Sequence, residues 1–460
     1  MSVGDAPRRE IESVGAWMLD RAMSMNGVTG ADVLYYFSRS HTLSLRDGEP
    51  EENASGVSGG IGLRCLGKDG RQGVAFGNNL SRTALVDVIE WSHANCMNSE
   101  PEEGIFLYSG SLDDDAARLE ISDAEIMSGI GTDWRMRECL AMTAEAKGLD
   151  ERVVSVRAAS WGDGYAKSFY ASTSGISGWR AETSASCGVA VVMNSGDSFE
   201  MGSSGNSARY LSDLDGLYHA RTSVNKTRTL MGGKPLATGK YTVAFEPEIA
   251  AMIVGEVGEL FCSSDIHKGR SLMKGKLGKS VASGAVSLVD DGRMSRGMGS
   301  SPFDGEGVPT GKTVLIEAGT AVNYLYNLQY ASKDGVNSTG NASRSIGSLP
   351  DVGTSNLLLL PGQESRESMI RGISNGFLVS ELMGLHTLDP ISGDFSLGAK
   401  GVRISGGVPG EPVAGVTIAG NLLDLLMKVT AVGSDVTFFR SIGAPTIVVE
   451  GVSVAGGSAF

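Results

Sequence analysis

Residues 240–261, KYTVAFEPEIAAMIVGEVGELF, have the pattern of a strand that runs directly into a helix. Residues 242–245 form a short β-prone run, and Pro247 supplies the fixed φ that suits a first helical turn. Glu246 and Glu248 favour the positive end of the helix dipole. Apolar residues then recur at three- and four-residue steps, which predicts one buried helical face. They are Ile249, Ile253, Val257 and Leu260.

The first 230 residues alternate between helical and strand patterns. An amphipathic helix is predicted first, because Ile11, Val14, Met18 and Ala22 share one helical face with Met23. The other elements predicted there are two strands in 31–49, a hairpin in 60–78 around Lys68, Asp69 and Gly70, a helix from Asn79 or Ser81 to about His93, a helix over 121–148 capped by Ser122 or Asp123, strands within 151–202, and a helix over 213–230.

The stretch 230–240, LMGGKPLATGK, is the best candidate for a domain boundary, because it has three glycines, a proline and no periodicity. Beyond it the chain is mostly Val/Gly-rich strand and turn, with helices predicted at 247–261, 366–384 and 420–428. We therefore expect an α+β fold, with an N-terminal α+β domain over 1–230 that contains antiparallel strands and long helices. A mostly β domain, barrel- or sandwich-like, is expected over 231–460.

Composition and charge exclude some classes of function and predict the cellular compartment. The chain has 460 residues, a net charge of −14 and 64 glycines, and no cluster of Lys and Arg. Nucleic acid is therefore a poor candidate partner. No apolar stretch is long enough to span a bilayer, and the charged N-terminus is not a signal peptide. Five widely spaced cysteines without a CxxC pair are typical of reduced thiols, so we expect a cytoplasmic protein.

Motifs for nucleotide or metal chemistry are weak in this sequence. GEGVPTGKT, at 305–313, resembles a phosphate loop, but Glu306 replaces the first required glycine and a strand pattern follows where a helix is needed. Asp290, Asp291, Asp304 and Glu306 are close in sequence, yet their spacing matches no calcium loop. Glycines and acidic residues that lie close together in sequence usually form turns.

Four segments of the C-terminal half together resemble the TldD/PmbA family of metallopeptidases, and most closely its TldE (PmbA) subunit. They are SSPFDGEGVPTGKTVLIEAGTAVNYLYN, NSTGNASRS, GFLVSELMGLHTLDPISGDFSLGAKGVRISGG and PVAGVTIAGNLLDLLMKV. The segments follow the family order across roughly 230–455. The family is also called modulator of DNA gyrase, a label that a net charge of −14 does not support as a DNA-binding activity.

The resemblance implies that the zinc ligands of the family are missing here. The TldD subunit carries H-E-x-x-x-H on the helix corresponding to 247–261, and a later cysteine. In this chain Gly255 and Leu260 stand at the histidine positions, Glu256 at the glutamate position, and the cysteine position falls near Ala431 or Val432. Because zinc needs three or four converging N, S or O donors, we expect no zinc in this chain.

The resemblance further implies a partner. TldE-type subunits pair with a zinc-bearing TldD-type subunit, and the complex cleaves unfolded or flexible peptides; alone, the chain is a possible homodimer. The alternatives are a self-sufficient hydrolase that uses Glu256 as base or Cys262 as nucleophile, and a peptide-binding module without catalysis. The candidates for contact with substrate or cavity, which are equally well interpreted as residues of turns and buried networks, are Asp304, Glu306, Asn337, Asn341, Arg344 and Asp394.

Overall fold

In the computed structural model, residues 6–112, 118–196 and 198–456 are described. The helices are α1 (Arg8–Met23), α2 (Arg82–Asn98), α3 (Ala124–Ser128), α4 (Thr132–Leu149), α5 (Gly216–Leu230), α6 (Pro247–Glu259), α7 (Ser263–Lys268), α8 (Leu328–Asp334), α9 (Arg366–Arg371) and α10 (Leu422–Met427).

The strands fall into an N-terminal and a C-terminal group. Those of the N-terminal half are β1 (Val28–Arg46), β2 (Glu49–Gly67), β3 (Gln72–Gly77), β4 (Val153–Ser172), β5 (Ser177–Ser195) and β6 (Ser198–Ala208). Those of the C-terminal half are β7 (Gly239–Phe245), β8 (Leu288–Asp291), β9 (Lys312–Glu317), β10 (Thr320–Ala321), β11 (Ala342–Ser343), β12 (Asp351–Val352), β13 (Leu357–Leu359), β14 (Asn375–Met383), β15 (Asp394–Ser405), β16 (Val408–Asn421), β17 (Val429–Val432), β18 (Thr437–Phe439), β19 (Ile442–Ala444) and β20 (Ile447–Gly456).

The N-terminal half is one six-stranded antiparallel sheet, in the order β3-β2-β1-β4-β5-β6, with helices on one face. Helices α1 and α2 cover one end of this face, and α4 and α5 cover the other end. Side chains alternate between the faces of a strand. Ala31 and Val33 therefore point into the helical layer, while Asp32 between them points to the opposite face. The C-terminal half packs against that opposite face.

The C-terminal half is built from a barrel and a second sheet. Strands β7, β14, β15, β16 and β20 close on themselves, because β16 pairs with both β15 and β20, and β17 extends β20. The second sheet has the order β10-β9-β8-β13-β19-β18. Helix α6 contacts both sheets. The predicted α+β class is confirmed, and its C-terminal part is a barrel.

Several predicted elements differ from the observed ones. The stretch 31–49 does not contain two strands: β1 continues without a break to Arg46, and the chain turns at Asp47–Gly48, where both φ angles are positive as a two-residue hairpin requires. The single helix predicted over 121–148 is interrupted, because Gly129 adopts a φ of 97° between α3 and α4. Asp123 caps α3 by accepting a hydrogen bond from the N–H of Glu125.

The helix predicted over 366–384 ends early. Helix α9 stops at Arg371, and the apolar run GFLV that follows lies in β14, between β7 and β15. The strand-to-helix pattern at 240–261 is confirmed, with Pro247 as the first residue of α6 and all four predicted apolar residues buried. Within the described ranges, no helix combines the length and the apolar character that a bilayer crossing requires.

Candidate functional site

A cleft of about 440 Å³ lies between the N-terminal sheet and α6, and we call it the interdomain cleft. Its floor is the face of β4, β5 and β6 that points away from the helices. Ser186 and Gly188 alternate there with Ala185, Cys187 and Val189, which pack into the helical layer. Further small residues complete the floor: Ser160, Gly205 and Ser207. Small side chains leave the sheet backbone open to a molecule that enters the cleft.

The roof of the interdomain cleft is the outward face of α6 together with the end of β18 and the start of β19. Glu248, Ala251 and Met252 line it from the helix, and Phe439, Arg440 and Ile442 line it from the strands. The opposite face of α6 carries the apolar residues that fill the C-terminal core. The amphipathic pattern of the helix therefore sets which residues face the cleft.

The side chain of Asn206 bridges the floor and the roof. Its Nδ2 donates a hydrogen bond to the carbonyl of Phe438 at 2.7 Å, and its Oδ1 accepts one from the N–H of Arg440 at 3.2 Å. Beyond this bridge a second cavity of about 450 Å³ continues along α5. Ion pairs also join the two halves, among them Lys226–Glu248, whose residues line the second cavity, and Lys400–Glu200.

The residues at the family's zinc-ligand positions do not fit a zinc ion. Gly255 has no side chain, and a Cβ there would lie 2.9 Å from Cδ1 of Ile442. Leu260 is buried in the C-terminal core, and Val432 lies in the same core. Ala431 packs on a separate apolar cluster. In the part of the chain that the structure describes, no group of three His, Cys, Asp or Glu side chains could hold a metal ion.

The two residues considered for an independent hydrolase, Glu256 and Cys262, both lie near Glu259 but differ in how deeply they are buried. Glu256 is half-buried, and burial together with the nearby charge of Glu259 raises the pKa of its carboxyl. Cys262 is buried, and burial, with Glu259 nearby, raises the pKa of its thiol strongly. A thiolate is the reactive form of cysteine, so this environment disfavours Cys262 as a nucleophile. All five cysteines are free and buried.

Three of the predicted contact residues lie in a buried charged network between the two halves. Arg344 donates to Asp32 at 2.5 Å, and Arg64 donates to the other oxygen of Asp32 and to Glu306. Against the effect of burial, the charges of Arg344 and Arg64 lower the pKa of Asp32. The carboxyl of Asp304 accepts three backbone hydrogen bonds, from Glu306, Val308 and Ala342. The pairs Arg344–Asp32 and Arg64–Glu306 therefore hold the two halves together, Asp304 fixes a loop within the C-terminal half, and none of the three predicted residues lines the cleft.

The remaining predicted residues lie elsewhere. Asn341 is buried and donates to Asp290 at 2.8 Å, and Asp290 also accepts from the backbone and hydroxyl of Ser355. Asn337 is exposed after α8. Asp394 is exposed and accepts a hydrogen bond from Asn421 at the start of β15. The structure therefore does not gather the six residues into one site.

Sequence reasoning missed most residues of the cleft and of the network. Asn206 lies in a Ser/Gly-rich strand, and nothing local distinguishes it from its neighbours. The sequence around Asp32 and Arg64 was informative, because each is a single charged residue in a stretch of otherwise apolar or small residues. Charged residues are rarely fully buried unless they are paired, so the two together could have indicated a buried ion pair.

Three family models match the chain in succession. They are the PmbA/TldA metallopeptidase domain 1 over 31–96, the central domain over 125–231 and the C-terminal domain over 238–456. Among curated proteins, a metalloprotease from Methanothermobacter thermautotrophicus is 29% identical over 415 residues, which are 88% of each chain. Metalloprotease PmbA from Escherichia coli O157:H7 is 24% identical over 98% of this chain and 97% of its own.

Solved structures share the fold over almost the whole chain. A candidate modulator of DNA gyrase from Thermotoga maritima is 26% identical and superposes with a TM-score of 0.86, covering 97% of this chain and 100% of its own. TldE from Thermococcus kodakarensis, 22% identical, gives the same TM-score of 0.86 over 97% of this chain and 100% of its own, and supports the fold alone.

Proposed function

Since this chain belongs to the PmbA/TldD metallopeptidase family, we propose that it is a TldE-like subunit of a cytosolic metallopeptidase complex that processes unfolded or flexible peptides. One observation carries the proposal. The helix that lines the interdomain cleft has Gly255 and Leu260 at the positions of the family's histidines, and an open cleft of about 440 Å³ lies beside it. The partner subunit supplies the zinc and its activated water.

The role of this chain is to wall the cavity and to bind extended substrate. The floor of small residues supports this role, because an extended peptide can approach such a surface closely along its backbone. The lining of the cleft carries both signs of charge, as in Glu248 and Arg440. Such a lining favours no single side-chain type, which suits a subunit that accepts many flexible sequences.

The first experiment mixes this chain with a purified zinc-bearing paralogue and follows an unstructured peptide by mass spectrometry. We expect no cleavage by this chain alone, and cleavage by the mixture that a chelator abolishes. Folded proteins should resist, because unfolding a domain first costs about 5–15 kcal/mol. Equal cleavage by the paralogue alone would contradict the proposal, and cleavage by this chain alone in chelator would favour an independent hydrolase.

A matched pair of variants tests the cleft itself. Ser186→Tyr places a ring on the cleft floor, whereas Ser184→Tyr changes the same face of β5 at an exposed position outside the cleft. We expect the first variant to lower kcat/KM of the mixture by about tenfold or more, which corresponds to about 1.4 kcal/mol, and the second to leave it within about twofold. Equal effects of the two variants would argue against the cleft as the peptide site.

A further inference from the structure

A further pocket, of about 320 Å³, adjoins the interdomain cleft, and we call it the methionine pocket. Glu248 and Met252 of α6 line both the cleft and this pocket, so the two spaces are neighbours along the helix. The apolar side chains of its lining come from β5, β6, α6 and β14 and are Ala190, Met201, Ile249, Met252, Leu382 and Met383. Its volume is near the lower limit for a small-molecule site, which suits one large side chain better than a longer segment of peptide.

The methionines of this pocket are accessible although they are apolar. Met201 is 57% exposed and Met383 is 49% exposed. Phe199, two residues before Met201 and therefore on the same face of β6, is 66% exposed. Exposed apolar side chains that lie together usually mark a surface that binds a ligand or a partner. Methionine suits such a surface, because its unbranched thioether side chain adapts to ligands of different shape.

The charged residues that line the pocket are already paired. Lys226 forms an ion pair with Glu248, and the carboxylate of Glu381 lies 3.6 Å from the ammonium group of Lys400. Each charge of the lining is thus offset by a charge of the protein itself. A charged ligand would have to break these pairs or enter without a counter-ion, which is costly, whereas an apolar ligand needs neither.

We propose that the methionine pocket receives one large apolar side chain, aromatic or branched aliphatic, of an extended peptide that lies in the interdomain cleft. The lining of the cleft carries both signs of charge and favours no side-chain type, so this pocket sets the one position at which the peptide is recognised by its side chain. Burial of an apolar side chain there stabilises the complex in proportion to the area removed from water. The residues on either side of it point away from the pocket, because successive side chains of an extended chain alternate.

This proposal rests on the proposed peptide-binding role, but its test needs neither the partner subunit nor cleavage. If the mixing experiment above fails and peptide binding to the pocket is observed, the peptidase role is wrong and the pocket stands. If cleavage is observed and binding to the pocket is not, the pocket is wrong and the peptidase role stands.

NMR of the full chain, with isotope labels on the methionine methyl groups, measures this binding directly. The probes are capped, uncharged peptides rich in Gly and Ser that carry one phenylalanine or, in its place, one alanine. We expect the phenylalanine peptide to shift the methyl signals of Met201 and Met252, and to bind about tenfold or more tightly than the alanine peptide. The signal of Met23, at the end of α1 in the helical layer on the other face of the sheet, should not move.

A matched pair of variants locates the effect in the pocket. Met201→Glu places a carboxylate in the apolar lining, and Met23→Glu makes the same change at an exposed position outside it. We expect the first variant to bind the phenylalanine peptide about tenfold more weakly, with its affinity for the alanine peptide unchanged to within about twofold. The second should bind both peptides as the unmodified chain does. Circular dichroism and thermal unfolding of both variants should match the unmodified chain.

Three results would overturn the proposal. The first is a phenylalanine peptide that shifts the methyl signals of neither Met201 nor Met252. The second is equal affinity of the unmodified chain for the two peptides, and the third is a folded Met201→Glu variant that keeps the full preference for phenylalanine.

Discussion

Asp32, Arg64 and Arg344 show how single residues join the two halves of the molecule. All three side chains are at most 2% exposed, and Asp32 receives hydrogen bonds from both guanidinium groups. Pairing makes such burial tolerable, because an unpaired buried charge costs several kcal/mol. The sequence identified Arg344 as a residue of interest, but its partner lies 312 residues earlier in the chain. A contact over that distance has no local signal.

We expect Arg344→Met to destabilise the protein by about 3–5 kcal/mol, because it leaves Asp32 buried with one of its two cationic partners removed. Arg403→Met is the matched control, since Arg403 is exposed and forms only a loose pair with Glu411 at 3.8 Å. Chemical denaturation at neutral pH measures the free energy of unfolding of both variants. If Arg344→Met lowers the free energy of unfolding no more than the control does, the network does not stabilise the fold.

Asp304 gives a prediction about pH. Burial and the nearby carboxyl of Glu306 raise the pKa of Asp304 to about 7 in the folded chain, against about 3.9 for an ordinary aspartate. Between these values the folded state binds a proton that the unfolded state has lost. The contribution of this group to stability is therefore complete below about pH 4 and is lost as the pH rises through about 7, by at most about 4 kcal/mol.

Asp304→Asn should flatten this part of the pH profile. The variant should also be less stable at low pH, because the amide cannot accept all three backbone hydrogen bonds that the carboxyl accepts. Denaturation midpoints of both proteins between pH 4.5 and pH 8 provide the measurement. Parallel profiles for the two proteins would contradict the raised pKa.

Among the elements, α6 was predictable and β14 was not. Helix α6 has a proline at its first position and apolar residues at helical spacing, and both signals are local. The run GFLVSELM in β14 fits a helix or a strand equally well, since short apolar runs cannot be assigned by periodicity. This run forms a strand because it lies between β7 and β15 in the barrel and pairs with both. In the N-terminal sheet the hairpin of β2 and β3 was predicted, but 31–49 was divided into two strands although β1 is continuous there. The stretch 151–202 was predicted to hold strands without being resolved into β4, β5 and β6, and residues 49–59 lack an apolar pattern.

Helix α6 also provides a prediction about metal binding. Introducing Gly255→His together with Leu260→His should create neither a zinc site nor a peptidase. Positions five residues apart differ in direction by about 140° at about 100° per residue, and no thiol is supplied near Ala431. Replacing the buried Leu260 should also cost about 2–4 kcal/mol in apolar packing. We expect metal analysis after dialysis to find no stoichiometric zinc in either the unmodified chain or the double variant.

The stability of the double variant must be checked separately, because a misfolded protein would also lack zinc. Gly255→His alone, with Leu260 kept, serves as the folded control. Chelator-sensitive peptidase activity in the double variant would show that the missing ligands have been assigned to the wrong positions.

At the scale of the whole molecule, the interdomain cleft exists because the N-terminal sheet and the C-terminal half meet. Its floor comes from β4, β5 and β6, and its roof comes partly from α6 and partly from β18 and β19, which lie more than 200 residues after β6 in the chain. The sequence predicted strands within 151–202 and the amphipathic helix, but not the residues of β6, β18 and β19 that complete the floor and the roof. Their apposition depends on long-range contacts such as the one made by Asn206, which no local pattern encodes.

The closure of the barrel has a consequence for how the protein is made. Strand β7 leaves the ribosome well before its neighbour β20, which follows only after about 200 further residues, since Phe245 pairs with Ile447. At typical rates of synthesis this takes roughly 10–40 s. During that time β7 and α6 have emerged while the barrel cannot close, so their apolar surfaces need protection. Strand β20 therefore completes the barrel, and a chaperone that binds nascent apolar segments should act on the C-terminal half rather than on the N-terminal sheet.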